Sequence, residues 1–160
     1  MLYFGDSEPK RVLVVDDSPI VRKLVKQILA VDDDFTVVGE AADGYQGIMN
    51  AMRLKPDIIV LDLEMPKMDG FEMLARLKSF GQAKVIVLSA VEDVGTDAAK
   101  TARRLGAFEV IPKPSGPISL DLKPKRGRQL LEVLHTAAGL PPPDFQALAL
   151  KMKARKASEL

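Results

Sequence analysis

The chain has 160 residues, the size of one compact domain with a modest extension, and 47% of them are apolar against 28% charged. A net charge of +1, from 23 Lys and Arg against 22 Asp and Glu, gives no global reason to expect nucleic acid or an anionic membrane as a partner. The absence of Cys excludes disulfides, thiolate zinc sites and cysteine nucleophiles, and a single histidine, His135, excludes His-pair metal motifs. No apolar run approaches the roughly 18 residues of a membrane span, and the N-terminus lacks a signal-peptide pattern, so a cytoplasmic location is expected.

Residues 1–10 read as a tail. The first apolar run, VLVV at Val12–Val15, is β-branched and continuous, as in strands buried on both faces of a parallel sheet. An amphipathic helix follows, with Ile20, Val21, Leu24, Val25, Ile28 and Leu29 on one stripe. A weaker strand at Phe35–Glu40 precedes a helix at Tyr45–Arg53. The second strong run, Ile58–Leu61, leads to a helix at Phe71–Phe80, and the third, Val85–Leu88, to a helix at Thr96–Leu105. A weak strand at Phe108–Ile111 precedes a helix at Gly127–Ala138. Five β–α units in succession predict a doubly wound α/β fold, a five-stranded parallel flavodoxin-like sheet of order 2-1-3-4-5. Gly139-Leu-Pro-Pro-Pro143 then reads as a stiff linker to an extra C-terminal helix. Asp144 would cap that helix, with Phe145, Leu148, Ala149 and Met152 on one face and Lys151, Lys153, Arg155 and Lys156 on the rest. The expected division is therefore a domain over 11–138 and a linker with a basic amphipathic helix over 139–160.

In such sheets ligands bind beyond the carboxyl ends of the strands. Asp16 and Asp17 follow the first strand, Asp62 ends the third, Ser89 ends the fourth, and Lys113 lies just past the fifth. Taken singly, each has an ordinary explanation, and Asp17 or Ser18 would serve simply as a helix cap. Five such residues at five matching topological positions argue for a site. Three acids placed together repel one another and require a cation. Oxygen ligands without His or Cys favour a hard ion, Mg²⁺, which is held by few protein ligands. One carboxylate can then attack a phosphoryl group while the ion and Lys113 neutralise its oxygens.

The stretches VLVVDDSPIVRKLV, PDIIVLDLEMPKMDGFEML, VIVLSA and IPKPSG resemble the successive motifs of response-regulator receiver domains, over about Lys10–Ala138. The resemblance implies that Asp62 accepts the phosphoryl group. It further implies that Asp17 binds Mg²⁺ directly, that Asp16 assists through water, and that Glu64 offers its backbone carbonyl. Ser89 would bond a phosphoryl oxygen and Lys113 pair with the phosphate. Pro66 and Gly70 would shape the loop after Asp62, and the Lys113–Pro114 bond is a candidate for cis. The stretch IPKPSGPISLDL is similar to that of chemotaxis protein-glutamate methylesterases, the CheB family. The chain carries no GxSxG and one His, so the esterase is not expected within it.

By this resemblance the donor is a sensor histidine kinase of the CheA-like type, and the recipient of the signal is a downstream effector or an attached output domain. The chain itself is expected to be a receiver limited to self-phosphorylation and slow autodephosphorylation. The alternatives are the regulatory fragment of a methylesterase and, remotely, an aspartate-nucleophile phosphohydrolase. Val110 stands three residues before Lys113 where receivers usually carry an aromatic, and Phe108, on the same strand face by period-two spacing, is the candidate substitute. His135 reads as a helix-surface or interhelical residue rather than a ligand. The last helix either folds back on the domain or pairs with another chain, so a dimer is possible.

Overall fold

A computed structural model of the chain describes residues 8–65, 67–79, 81–90, 95–114 and 125–158. Five parallel strands form one sheet in the order β2-β1-β3-β4-β5: β1 Lys10–Val15, β2 Phe35–Ala41, β3 Ile58–Asp62, β4 Lys84–Ser89 and β5 Glu109–Pro112. Six helices accompany them: α1 Pro19–Ala30, α2 Gly44–Leu54, α3 Gly70–Leu77, α4 Asp97–Arg104, α5 Lys125–Ala138 and α6 Phe145–Ser158.

Side chains alternate across the sheet as the pleat requires. Val12, Val14, Ile58, Val60, Ile86, Leu88 and Ile111 point to one face, where α1 and α5 supply Val25, Ile28, Leu29, Leu130, Leu131 and Leu134. Leu13, Val15, Ile59, Leu61, Val85, Val87 and Val110 point to the other, against α2, α3 and α4. Both faces are covered, so the strands are continuous apolar runs rather than alternating ones. The doubly wound sheet expected from the β–α rhythm is the fold observed.

Local chemistry sets the helix starts. Ser18 caps α1, its Oγ accepting from the Val21 N–H, with Pro19 in the first turn. Asp43 and Asp69 cap α2 and α3 in the same way. The helix expected over Phe71–Phe80 ends at Leu77, where the Ser79 N–H turns to the Arg76 carbonyl at 3.2 Å in place of an i−4 bond. At Gly70 a Cβ would stand 2.5 Å from Leu63 Cα and 2.7 Å from the Asp62 carbonyl oxygen, so only glycine lets α3 begin this close to the end of β3.

The last helix folds back on its own domain. Leu148 is buried in the α1–α5 side of the core, with Leu140, Phe145 and Met152 packed beside it. Asp144 Oδ1 accepts from the N–H groups of Gln146 and Ala147 and starts α6 as the sequence suggested. Among the described residues no helix is long and apolar enough to cross a membrane.

Candidate functional site

The carboxyl ends of β1, β3, β4 and β5 meet at one edge of the sheet. Asp16 follows β1, Asp62 closes β3, Ser89 closes β4, and Lys113 follows β5. Strand pairing sets Asp62 opposite Leu88 and Ser89 opposite Pro112, and the Lys113 N–H donates to the Ser89 carbonyl at 2.8 Å. Carboxylate oxygens of Asp16, Asp17 and Asp62 all lie within 4.8 Å of one another. Asp16 and Asp62 are each 2% exposed and Ser89 is 7% exposed, whereas Asp17 opens to solvent. Because Ser18 takes the capping role, the Asp17 carboxylate is left for the cluster.

Each buried carboxylate has one oxygen that accepts a backbone hydrogen bond and one that accepts none. Asp16 Oδ1 accepts from the Ser18 N–H at 2.8 Å, and Asp62 Oδ1 from the Glu64 N–H at 3.1 Å. Lys113 Nζ lies 3.2 Å from Asp62 Oδ1 and 4.0 Å from Asp16 Oδ2. The Oδ2 atoms of Asp16 and Asp62 are buried with no hydrogen bond. A buried acceptor without a donor is costly, and two of them facing one cluster match the unmet demand of a divalent cation. Oxygen ligands alone select a hard ion such as Mg²⁺.

Burial pushes the Asp62 carboxyl up to about 6, and the neighbouring Asp16 charge adds to the rise. Burial likewise raises Asp16, only partly opposed by the Ser18 N–H and by Lys113. For Lys113 burial works against the charged form, yet the Asp62 and Asp16 carboxylates outweigh it and hold the ammonium above its ordinary value. One lysine therefore does not neutralise the cluster.

Glu64 follows Asp62 by two residues with its side chain exposed, and its N–H bond brings this stretch of backbone against the carboxylates. Pro66 lies outside the described residues. The Lys113–Pro114 bond is trans, not cis, the geometry an X–Pro bond prefers by about 0.5–1 kcal/mol. Val110 is buried between the sheet and the α2–α4 side of the core. Phe108 does not join the site: it precedes β5 at the opposite, amino edge, where its N–H donates to the Val85 carbonyl and its ring lies 5.1 Å from Lys84 Nζ. Period-two spacing put it on the face of Val110, but the strand starts only at Glu109.

Arg22 is a contributor that the sequence reading passed over. It donates from Nη1 to the Asp16 carbonyl at 2.6 Å and from Nε to Glu40 Oε1 at 3.0 Å, bracing the β1–α1 turn against β2. Its place four residues after the cap Ser18, one turn into α1, was the available signal.

A family model for the response regulator receiver domain matches residues 12–123. A protein-glutamate methylesterase/protein-glutamine glutaminase of Halalkalibacterium halodurans is 46% identical over 116 residues, covering 72% of this chain and 34% of that protein. The chain thus spans about a third of the length of the curated relatives it matches. Among solved structures, the response regulator domain of Thermotoga maritima CheB superposes with a TM-score of 0.73 at 38% identity, over 84% of this chain and 99% of that one. A complex of the P1 domain of CheA3 with CheY6 from R. sphaeroides gives 0.69 at 36% identity, over 83% and 99%.

Proposed function

This chain belongs to the response regulator receiver family, in the company of CheB-type chemotaxis regulators, and from that premise we propose that it takes a phosphoryl group onto Asp62 from a histidine kinase. The observation that carries this reading is the pair of buried carboxylate oxygens on Asp16 and Asp62 that accept no hydrogen bond, beside Lys113. Asp16, Asp17, Asp62 and the Glu64 backbone carbonyl would hold Mg²⁺. When bound, that ion neutralises the cluster and the oxygens of the incoming phosphoryl group. With the cluster neutralised, the Asp62 carboxylate is ionised and attacks phosphorus. The O–P bond to Asp62 forms, the N–P bond of the donor phosphohistidine breaks, and the imidazole leaves with the electron pair. Lys113 pairs with the phosphoryl oxygens, and Ser89, at the end of the neighbouring strand, donates its hydroxyl to one of them.

The added negative charge then biases the side of the molecule beyond Ser89 toward partner binding. With Val110 in place of an aromatic, no long side chain at that position swings when Ser89 moves. The domain over 11–138 is taken as the receiver unit.

The test is direct. Incubation with a small phosphodonor and Mg²⁺ adds one phosphoryl group, read by intact mass, and chelation of the ion prevents it. Asp62→Asn abolishes the gain; label that survives in this variant overturns Asp62 as acceptor. A second reading follows from the curated relatives, which are methylesterases about three times as long: the chain would be the regulatory part of such an enzyme, restraining an attached esterase until Asp62 is phosphorylated. Fusing the chain to the esterase domain of a relative and assaying methylester hydrolysis with and without phosphodonor distinguishes the two.

A further inference from the structure

The amino edge of the sheet carries a second cluster that phosphoryl transfer does not use. His135, near the end of α5, is 5% exposed and held on two sides. Its Nε2 lies 2.7 Å from Asp32 Oδ2, on the turn between α1 and β2, and its Nδ1 lies 2.8 Å from the Pro141 carbonyl oxygen in the linker before α6. The Phe35 ring meets it edge-on at 5.3 Å. Asp32 is itself 4% exposed, and its other oxygen accepts from the Asp34 N–H.

Both partners of the ring are acceptors. A neutral imidazole has one N–H and one lone pair, and cannot donate to both. Satisfying both contacts therefore takes one proton more than a neutral ring beside a carboxylate provides. When that proton leaves, the single remaining N–H goes to the stronger acceptor, the Asp32 carboxylate. The lone pair then faces the Pro141 carbonyl, and the bond to the linker is lost.

The linker is what seats α6. The Leu140 N–H donates to the His135 carbonyl at 2.8 Å, one residue before Pro141. Beyond it Lys151 pairs with Asp33, Arg155 donates to the Ala30 carbonyl, and Phe145 stacks under Arg128 at 4.3 Å. The other charged groups facing the ring are Asp34, whose Oδ2 is 3.9 Å from Nε2, with Asp144 and Lys151 on the wall of the same pocket, a space of about 180 Å³. Asp33 is engaged by Lys151, which holds its carboxyl below the ordinary range. Aspartates thus surround the ring on its α1–β2 side, and a positive charge on the ring would offset part of theirs.

We propose that His135 is a proton-operated latch on the C-terminal arm, residues 139–158, which is docked while the ring is doubly protonated and loosened when the proton leaves. The latch works independently of Asp62, at the other edge of the sheet. Opening uncovers the seat of Leu148 and frees a helix whose charged residues are all basic.

The whole chain is tested unphosphorylated and without Mg²⁺. Because it contains one histidine, the ring nitrogen resonances belong to His135 without assignment. Along a pH series the ring is expected to carry two N–H protons at the acidic end and one at the alkaline end. Amide exchange over 145–158, corrected for the intrinsic rate, should lose protection about tenfold across the same series, the worth of one charged hydrogen bond. Asp32→Asn removes the charge that favours the second proton and should shift both readouts to lower pH. His135→Gln should make the exchange independent of pH, whereas Lys151→Ala lowers protection equally at both ends. A ring with one unprotonated nitrogen while the arm is protected overturns the latch, as does equal protection at both ends of the series. Protection that appears only with added zinc also overturns it, and marks Asp32, Asp34 and His135 as metal ligands instead.

Discussion

The two acidic clusters of this molecule lie at opposite edges of one sheet and are built in opposite ways. At the carboxyl edge Asp16, Asp17 and Asp62 face one lysine among the described residues, and two of their oxygens are buried without a hydrogen bond. At the amino edge Asp32, Asp33 and Asp34 meet His135 and Lys151, and each contact is made within the chain. At this edge the buried carboxylate of Asp32 has both oxygens engaged, so it leaves no unmet acceptor. A cluster left short of cation is poised for a ligand, and Asp62 there is pushed up first by burial and then by the Asp16 charge.

The largest test of this contrast is Asp17→Ala. The side chain is exposed and caps no helix, so the fold should be unchanged while the Mg²⁺ concentration that supports labelling rises about 100-fold; a small change in that concentration would show that the carboxyl edge is not short of cation. Leu148→Ala probes the other edge. Truncating a buried leucine costs about 2–3 kcal/mol, read as a lowered midpoint in urea, with labelling of Asp62 unaffected.

Asp62→Asn sharpens the comparison further. Folded Asp62 holds its proton up to about pH 6, and an ordinary carboxyl only to 3.8. Between these values the folded chain binds more protons than the unfolded one, so stability falls as pH rises through the window. Two units correspond to about 3 kcal/mol, part of which is offset because Asn no longer attracts Lys113. The variant should therefore be more stable than the parent by about 2 kcal/mol at pH 7 without Mg²⁺, with the gain gone below about pH 4. Thermal unfolding at the two pH values measures it. The smallest effect is expected for Lys151→Ala: the pair with Asp33 is exposed, and its loss should cost less than about 1 kcal/mol. Apolar burial, not the ion pair, carries most of the docking of α6.

Much of the carboxyl edge was legible in the sequence. The runs at Val12–Val15, Ile58–Leu61 and Val85–Leu88 mark the strands, and an acid or hydroxyl at the end of each marks the edge. Strand starts were displaced by a residue or two, because pairing partners rather than composition decide them: β1 begins at Lys10 opposite Phe35, and β4 at Lys84 opposite Ile58. The same displacement misplaced Phe108, which lies outside β5. Arg22 was legible only as a charged residue on a helix, since its role depends on the Asp16 carbonyl and on Glu40.

His135 marks the boundary most clearly. As the single histidine of an amphipathic helix it reads as a surface or interhelical residue, and nothing local indicates Asp32, 103 residues away in sequence. Periodicity and the identity of strand-end residues are properties of short segments, so length, composition and order already determined the α/β fold, the acidic edge and the chemistry it lacks. Which carboxylates are starved of charge and which are satisfied depends on burial and on partners brought together by packing. Only the tertiary structure decided that, by setting one cluster against Lys113 and folding α6 back to complete the other.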